Sequence, residues 1–493
     1  MSSYIWRWLV ERKGSLLTGV LAFAAMIVTV MQTQAVPILG LIATKLQVST
    51  TSVSWVTTAT LLSAAVSTPL LGRVGDLYGK KPTLLGVLVV AAAGSAISAS
   101  ANSLSVLLVG RVLQGVATAI FPLALAVLRE EIPARRLHHA MAIVSGTLGF
   151  GGGLGLVSTG LLTKGADPDY HVVFWFTAAL SVVALVAAAV AVPATTTRHP
   201  GAVDLPGALT LGGFLILLLL PISQGHEWGW TSVTTLACFA GAIATAAAWV
   251  LTERRVRTPL VDLQMFTHRP VLFTNLAGMF IGFAMFMQFM GVSYLAQMPT
   301  RVAGYGFGAS ILRASVEYLL PATLSSMLAA PIGGILVGRL GGRSVLALSG
   351  VVGMVGFGWL ALAHDTTASV IAASVVIGIA ISFAYAAMPA LIAAGVPHHQ
   401  SGIANGINSI SRTVGSSLAS AIITTLLTAK LLPQLPLPQE SQFTIAFWVG
   451  AAACVATVLA ALLGLRPEVR HGGPGTAATA ETPAASPVSA SAV

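Results

Sequence analysis

The chain has 493 residues, of which 56% are hydrophobic and only 8% charged, with a mean hydropathy of +0.88 and a formal net charge of +10. A soluble protein of this length needs far more charge to cover its surface, so the composition fits a bilayer as solvent. The positive excess, which in a soluble chain would raise nucleic acid as a partner, is here read as an asymmetry between the two sides of a membrane, with no nucleic-acid role.

Residues 1–14 are polar, basic and aromatic (Trp6, Arg7, Trp8, Arg12, Lys13) and read as an interfacial cytoplasmic segment, not a cleavable signal peptide. Apolar runs follow at 15–36, 53–71, 83–101, 104–127, 141–163, 172–192, 206–223, 232–251, 271–297, 314–337, 344–363, 368–394, 403–428 and 443–465, which makes fourteen candidate spans. A span needs roughly 20 apolar residues, and a lipid-exposed backbone must bond to itself, so an all-α membrane protein is expected. The third–fourth junction at Asn102-Ser103 and the loop at 298–313 are the weakest boundaries. Residues 466–493 are rich in Gly, Ala, Pro and Ser and are expected to form a disordered cytoplasmic tail. Cys238 and Cys454 both fall in apolar runs and form no disulfide or metal pattern.

Placing the N-terminus in the cytoplasm puts 18 Lys and Arg residues in inside loops and 5 in outside loops, with Arg111 and Arg412 left within spans. A misplaced span before the middle would scramble that bias, so the count supports the topology with both termini cytoplasmic. The stretch Gly72-Arg73-Val74-Gly75-Asp76-Leu77-Tyr78-Gly79-Lys80-Lys81-Pro82 reads as a short basic loop with one acid, and a degenerate copy returns at Gly334–Ser344. Pro69 matches Pro331, Gly79 matches Gly341 and Lys81 matches Arg343, while Gly338 stands opposite Asp76. The first copy follows span 2 and the second span 10, so a duplicated six-span unit requires two extra spans between the halves. The expected organisation is therefore a six-helix bundle at 15–192, two inserted spans at 206–251 and a second six-helix bundle at 271–465.

Within the spans, Arg111 is a charge that costs roughly 2.5–3.5 kcal/mol on insertion scales. It either faces a cavity or partner, with Gln114 one turn on, or snorkels to the outer surface. Gln32 and Gln34 either line a cavity or bond between helices. The glycines of span 5, among them Gly151, Gly155 and Gly160, permit close packing or a hinge. Span 9 is rich in Phe and Met, and Met285 and Gln288 either pack or face a greasy binding wall. Glu317 is either a desolvated acid that titrates near neutrality or an interfacial partner of Arg313. Glu130 and Glu131 read as loop charges. Arg412, in the penultimate span, is a second intramembrane charge.

Gly72, Asp76, Gly79, Lys80 and Lys81 fall on a pattern that resembles motif A of the major facilitator superfamily, and the fourteen spans resemble its drug:proton antiporter branch. The resemblance runs from about Ser15 to Arg466 and implies two six-helix bundles rocking about a central site, with Asp76 resting against the start of span 13 near Ser401-Gly402. Arg111, Gln114 and Gly115 resemble motif B, which implies a role in proton coupling or cavity electrostatics. The span 5 glycines resemble motif C, but Leu156 and Thr159 replace its Pro and one Gly, and Val28 stands where the branch carries an Asp in span 1. The function this implies is proton-driven export of hydrophobic drugs, antibiotics or other toxic small molecules across a bacterial cytoplasmic membrane by a monomer that uses the proton gradient and no cofactor or metal. The two departures leave an importer or symporter of the same fold, or an uncoupled sensor, as alternatives. No HExxH, suitable GxSxG turn or paired acids indicate an enzyme.

Overall fold

The computed structural model describes residues 2–165, 167–194, 204–256, 268–396, 401–433 and 435–464. The expected tail at 466–493 lies outside them, as do the side chains of 1–13, Asp76 and 401–403.

The described chain is helical almost throughout. Fourteen helical rods succeed one another: α1 (Ser2–Thr33, continued through a 3-10 turn at Val36–Ile38 into Leu39–Leu46), α2 (Thr50–Tyr78), α3 (Lys80–Ala99), α4 (Leu104–Val116 and Ile120–Glu131, joined by Ala117–Ala119), α5 (Ala134–Leu162), α6 (His171–Ala191), α7 (Leu205–Trp228), α8 (Val233–Arg255), α9 (Arg269–Gln297), α10 (Ile311–Arg313, a π turn at Ala314–Leu319, and Leu320–Leu340), α11 (Gly342–Leu362), α12 (Thr367–Gly395), α13 (Ser401–Ala429) and α14 (Glu440–Gly464). Among the described residues twelve of these are long and apolar enough to cross a membrane. In α5 and α7 the described apolar stretches are shorter, Phe150–Leu162 and Pro206–Ile222.

Polar side chains start many of the rods. Ser49 accepts from the Ser52 amide, Ser103 from Val106, Asp204 from Gly207, Ser232 from Thr235, Ser310 from Arg313 and Thr366 from Ser369. Each satisfies an amide that has no partner within its own helix. The two weak boundaries resolve in this way: Ser103 caps α4, and Ser310 caps α10 after a short helix at Thr300–Ala303.

The expected loop at 72–82 is not a loop. α2 runs on to Tyr78, α3 begins at Lys80, and Gly79 alone makes the corner with φ +105°. The copy behaves alike: α10 runs to Leu340, Gly341 turns at φ +82°, and α11 begins at Gly342. A positive φ is open to glycine and strained for most other residues, so these two aligned glycines carry the turns. Gly72 does not mediate a close approach, since a Cβ there would meet open space. The aligned basic residues also share a role. Lys81 Nζ donates to Ala189 O in the last turn of α6, and Arg343 donates to Ala461 O and Leu462 O in the last turn of α14. Cations there complete orphan carbonyls at the negative end of a helix.

Packing repeats with an offset of eight rods. In the first half α1 packs on α5 and α6, α3 on α4 and α6, and α2 on α4; in the second α9 packs on α13 and α14, α11 on α12 and α14, and α10 on α12. The halves meet through α2 against α13 and α5 against α10, contacts that exchange under the same offset. α7 and α8 pair with each other, and α7 leans on α2 and α13. A buried apolar cluster bridges the halves, joining Val36, Leu156 and Phe174 to Phe283, Met287 and Tyr318.

Small residues set the closest approaches. A Cβ on Gly415 of α13 would lie 1.8 Å from Met279 O, and one on Gly282 of α9 would lie 2.1 Å from Arg412 O. Ser416 Oγ donates to Gly282 O across the same contact at 3.0 Å. Gly415→Ala should therefore force α9 and α13 apart and cost at least about 1–3 kcal/mol. Gly406→Ala on the same helix, where a Cβ meets nothing within 4 Å, should be neutral or stabilising. Thermal unfolding of the two purified variants checks this, and equal melting temperatures would contradict it.

Candidate functional site

Arg111 is the largest fully buried side chain among the described residues, 1% exposed, two turns into α4. Its Nε donates to Val56 O of α2 at 2.9 Å, and its Nη1 donates to Met31 O of α1 at 3.1 Å and to Gln114 Oε1 at 2.5 Å. Met31 lies in the last turn of the first α1 segment, where carbonyls lack helical partners. Gln114 passes the chain of bonds on, donating from Nε2 to Ser95 Oγ of α3 at 2.9 Å. The guanidinium also stands 5.9 Å from the centre of the Phe174 ring of α6, a cation–π distance. One side chain thus binds three neighbouring helices of the first half, α1, α2 and α6, and reaches α3 through Gln114; among the described residues no acid pairs with it. Snorkelling is ruled out by this burial.

Beside it lies a cavity of about 10 Å³ lined by Gln32, Thr57, Thr60, Leu61, Arg111 and Phe286, the last from the second half. That volume holds about one water. A larger cavity of about 330 Å³ lies between α2, α3 and α4 around Tyr78, Pro82 and Val116, is apolar and open, and contains none of the predicted central residues.

Gln34 is fully buried; its Nε2 donates to Thr177 Oγ1 at 3.3 Å, while its Oε1 has no partner. Gln288 is also fully buried, and neither of its amide atoms is hydrogen-bonded. Buried, unsatisfied amides cost about 1–3 kcal/mol each, which is unusual for a side chain serving packing alone. Met285 Sδ accepts from Tyr385 Oη at 3.2 Å.

Arg412 on α13 is half-buried; it donates to Asn408 Oδ1 at 2.7 Å and lies 5.1 Å from the centre of the Tyr385 ring of α12. Asn408 in turn donates to Thr274 O and Asn275 Oδ1 of α9, both at 3.2 Å. Ser95, Phe174, Tyr385 and Asn275 were not anticipated from sequence. Only Asn408, four residues before Arg412, was readable as a neighbour on the same helix face.

The glycines divide by face. Gly151 and Gly155 meet α1, where a Cβ would lie 2.5 Å from Met26 O and 2.3 Å from Thr33 Oγ1 respectively. Gly160 meets the other half, 2.7 Å from Leu312 Cα of α10. Glu317 lies apart from this centre. In the π turn of α10 it accepts from Arg313 Nε at 2.5 Å at the surface, the interfacial pairing rather than a buried acid. Glu130 is not a free loop charge; it closes a short ion pair with Lys80 that is largely withdrawn from solvent. Arg73 Nε is buried without a hydrogen bond.

Residues 21–420 and 320–491 match the sequence model of the Major Facilitator Superfamily. The chain is 29% identical over 400 residues to a tetracenomycin C resistance and export protein of Streptomyces glaucescens, covering 78% of this chain and 71% of that one. It is 23% identical over 277 residues to the multidrug transporter protein MdtP of Bacillus subtilis, covering 56% of this chain and about half, 51%, of that one. Its fold matches the crystal structure of a D-xylose-proton symporter with a TM-score of 0.64 at 13% identity, over 92% of this chain and 98% of that one. A family pattern that runs through both halves, on an all-helical membrane fold with this repeated packing, shows that the chain belongs to the major facilitator superfamily, whose members are transporters and not enzymes.

Proposed function

We propose that this transporter exports small hydrophobic compounds, antibiotics or other toxic molecules among them, by alternating access driven by the proton gradient of a bacterial cytoplasmic membrane. The observation that carries the reading is the buried Arg111 network beside a small cavity that takes its wall from both halves. Rocking the halves about α2–α13 and α5–α10 would open that cavity to one side at a time. The similarity to a resistance and export protein of Streptomyces glaucescens speaks for export, and the similarity to a multidrug transporter of Bacillus subtilis speaks for this substrate class.

The proposed topology has fourteen spans and both termini in the cytoplasm. The domains are six-helix bundles at 15–192 and 271–465, with α7 and α8, at 206–251, as an inserted hairpin. Support comes from the eight-rod packing offset and from the pairing of α7 with α8. The Lys and Arg bias supports this orientation. In this scheme Asp76 rests against the N-terminus of α13, where the helix dipole stabilises an anion. Its release would accompany the change of access. Arg111 and Gln114 set the potential of the cavity. Gln32, Gln34, Met285 and Gln288 offer the adaptable wall, and Arg412 adds a second charge in the second half.

A second reading is favoured by one observation. Among the described residues the buried carboxylates are Asp204 and Glu253, both on the α7–α8 hairpin and not at the centre. A central cavity whose one formal charge is Arg111 suits an acidic substrate that carries its own proton, moved in either direction.

Inside-out vesicles separate the two. With an acidified interior, wild-type vesicles should accumulate a hydrophobic fluorescent dye, and an uncoupler should abolish the accumulation. Arg111→Ala should lower the rate at least tenfold while inserting normally. Arg111→Lys should recover it only in part, because an ammonium cannot reproduce the fork to Val56 O and Met31 O. Flux of a weak acid in either direction, following its own distribution and the pH difference, with no dye accumulation, selects the second reading. Asp76→Asn should slow turnover without preventing insertion, and wild-type turnover in a correctly inserted Asp76→Asn protein would remove Asp76 from the mechanism.

A further inference from the structure

At the end of the molecule opposite Gly79, the turn between α11 and α12 meets the start of α14. His364, Asp365 and Glu440 converge there, each offering one ligand atom, and all three atoms lie within 4.8 Å of one another. His364 is 8% exposed, and its Nδ1 lies 2.7 Å from Leu360 O. A carbonyl oxygen can only accept, so Nδ1 carries the proton and Nε2 of the neutral ring presents a lone pair. Backbone-bound Nδ1 with a free Nε2 is the arrangement that orients an imidazole toward a metal.

Nε2 is buried without a hydrogen bond and faces Glu440 Oε1 at 3.5 Å. A buried ring nitrogen left unsatisfied is costly, and here it is aimed at two carboxylates. Among the described residues neither Asp365 nor Glu440 pairs with a lysine or arginine. Edge contact with Phe447, 5.9 Å between centroids at 65°, fixes the ring plane. Glu440 lies in the first turn of α14, at the positive end of the helix dipole. Tyr305 does not compete for the site: its Oη donates to Pro438 O, and burial first, then the Glu440 charge, pushes its phenol up to about 12.

The geometry points to a binding site for a divalent transition-metal ion, with His364 Nε2, Asp365 and Glu440 as protein ligands and water completing the shell. One imidazole and two carboxylates suit Zn²⁺ and its first-row neighbours better than Mg²⁺, which prefers an all-oxygen shell. Ligand bonds of about 2.0–2.2 Å require the three atoms to draw together by roughly an ångström. The exposed Asp365 and the half-exposed Glu440 are free to make that movement. All three ligands belong to the second half, so the ion would tie the α11–α12 turn to α14 within one bundle. It would stiffen that bundle without locking it to the other.

Zn²⁺ is the probe. Full-length protein, purified in detergent and stripped with a chelator, should bind Zn²⁺ by isothermal titration with one equivalent that raises its melting temperature, while Mg²⁺ at the same concentration does not. Asp365→Asn and Glu440→Gln alter exposed or half-exposed carboxylates and should fold normally. Each should lose that equivalent or weaken it at least tenfold. X-ray absorption of the loaded wild type should show an oxygen and nitrogen shell with a single imidazole. An equivalent that persists unchanged in both variants, or no Zn²⁺ binding by the wild type, would overturn the proposal.

Discussion

A guanidinium held at the junction of α1, α2, α4 and α6 is the interaction on which the central architecture depends. Arg111 is nearly inaccessible, and it replaces its lost hydration with two backbone carbonyls, the Gln114 amide and the face of Phe174. Leaving a buried charge with an incomplete set of partners is far more costly than any single bond is stabilising. The four helices must therefore keep their relative positions for the charge to be tolerated. That requirement makes the first half a rigid body around its charge. The remaining freedom lies between the halves, where packing rests on α2 against α13 and α5 against α10.

Rigid halves and a softer seam are what alternating access needs. Beside the apolar cluster that bridges the halves, part of the seam is built from small and hydroxyl side chains: Gly160 against Leu312, and Thr57 and Thr58 within 3.4 and 3.5 Å of Ser420. Inside each half glycines also set close approaches, as at Gly155 with α1 and Gly415 with α9. Without a hydrophobic force between helices in lipid, such close contacts and short polar bonds supply the association. The corners at Gly79 and Gly341, with Lys81 and Arg343 capping the sixth helix of each half, hold both bodies in the same way at the end that carries the basic residues.

Much of this was legible in the sequence, because a bilayer leaves few solutions. Apolar runs located the helices, and the weak copy of Gly72–Pro82 at Gly334–Ser344 located the repeat; Gly79 and Gly341 indeed share a positive φ. The residues from Gly72 to Tyr78 were misread as a loop. Glycine and charge mark turns in soluble proteins, yet here the helix simply runs on through them to Tyr78. The burial of Arg111 was readable as a problem requiring partners, but the partners themselves were not. Val56 O and Met31 O are backbone atoms of other helices, and no side-chain pattern encodes them. Glu317 looked like a candidate acid by position alone, and its neighbour Arg313 one turn earlier claims it. His364, Asp365 and Glu440 come together from positions far apart in the chain, so only the fold reveals them.

The central claim is that the two halves rock about a cavity that Arg111 borders. Its most direct test is the distance between the halves at the end opposite Gly79. Spin labels at Lys45 and Arg301, on a background with Cys238 and Cys454 replaced, report it by pulsed electron resonance in lipid. The account predicts two distance populations whose ratio shifts with pH and with bound substrate, and that Arg111→Ala no longer shifts. A single distance, unmoved by pH and substrate in the wild type, would contradict it.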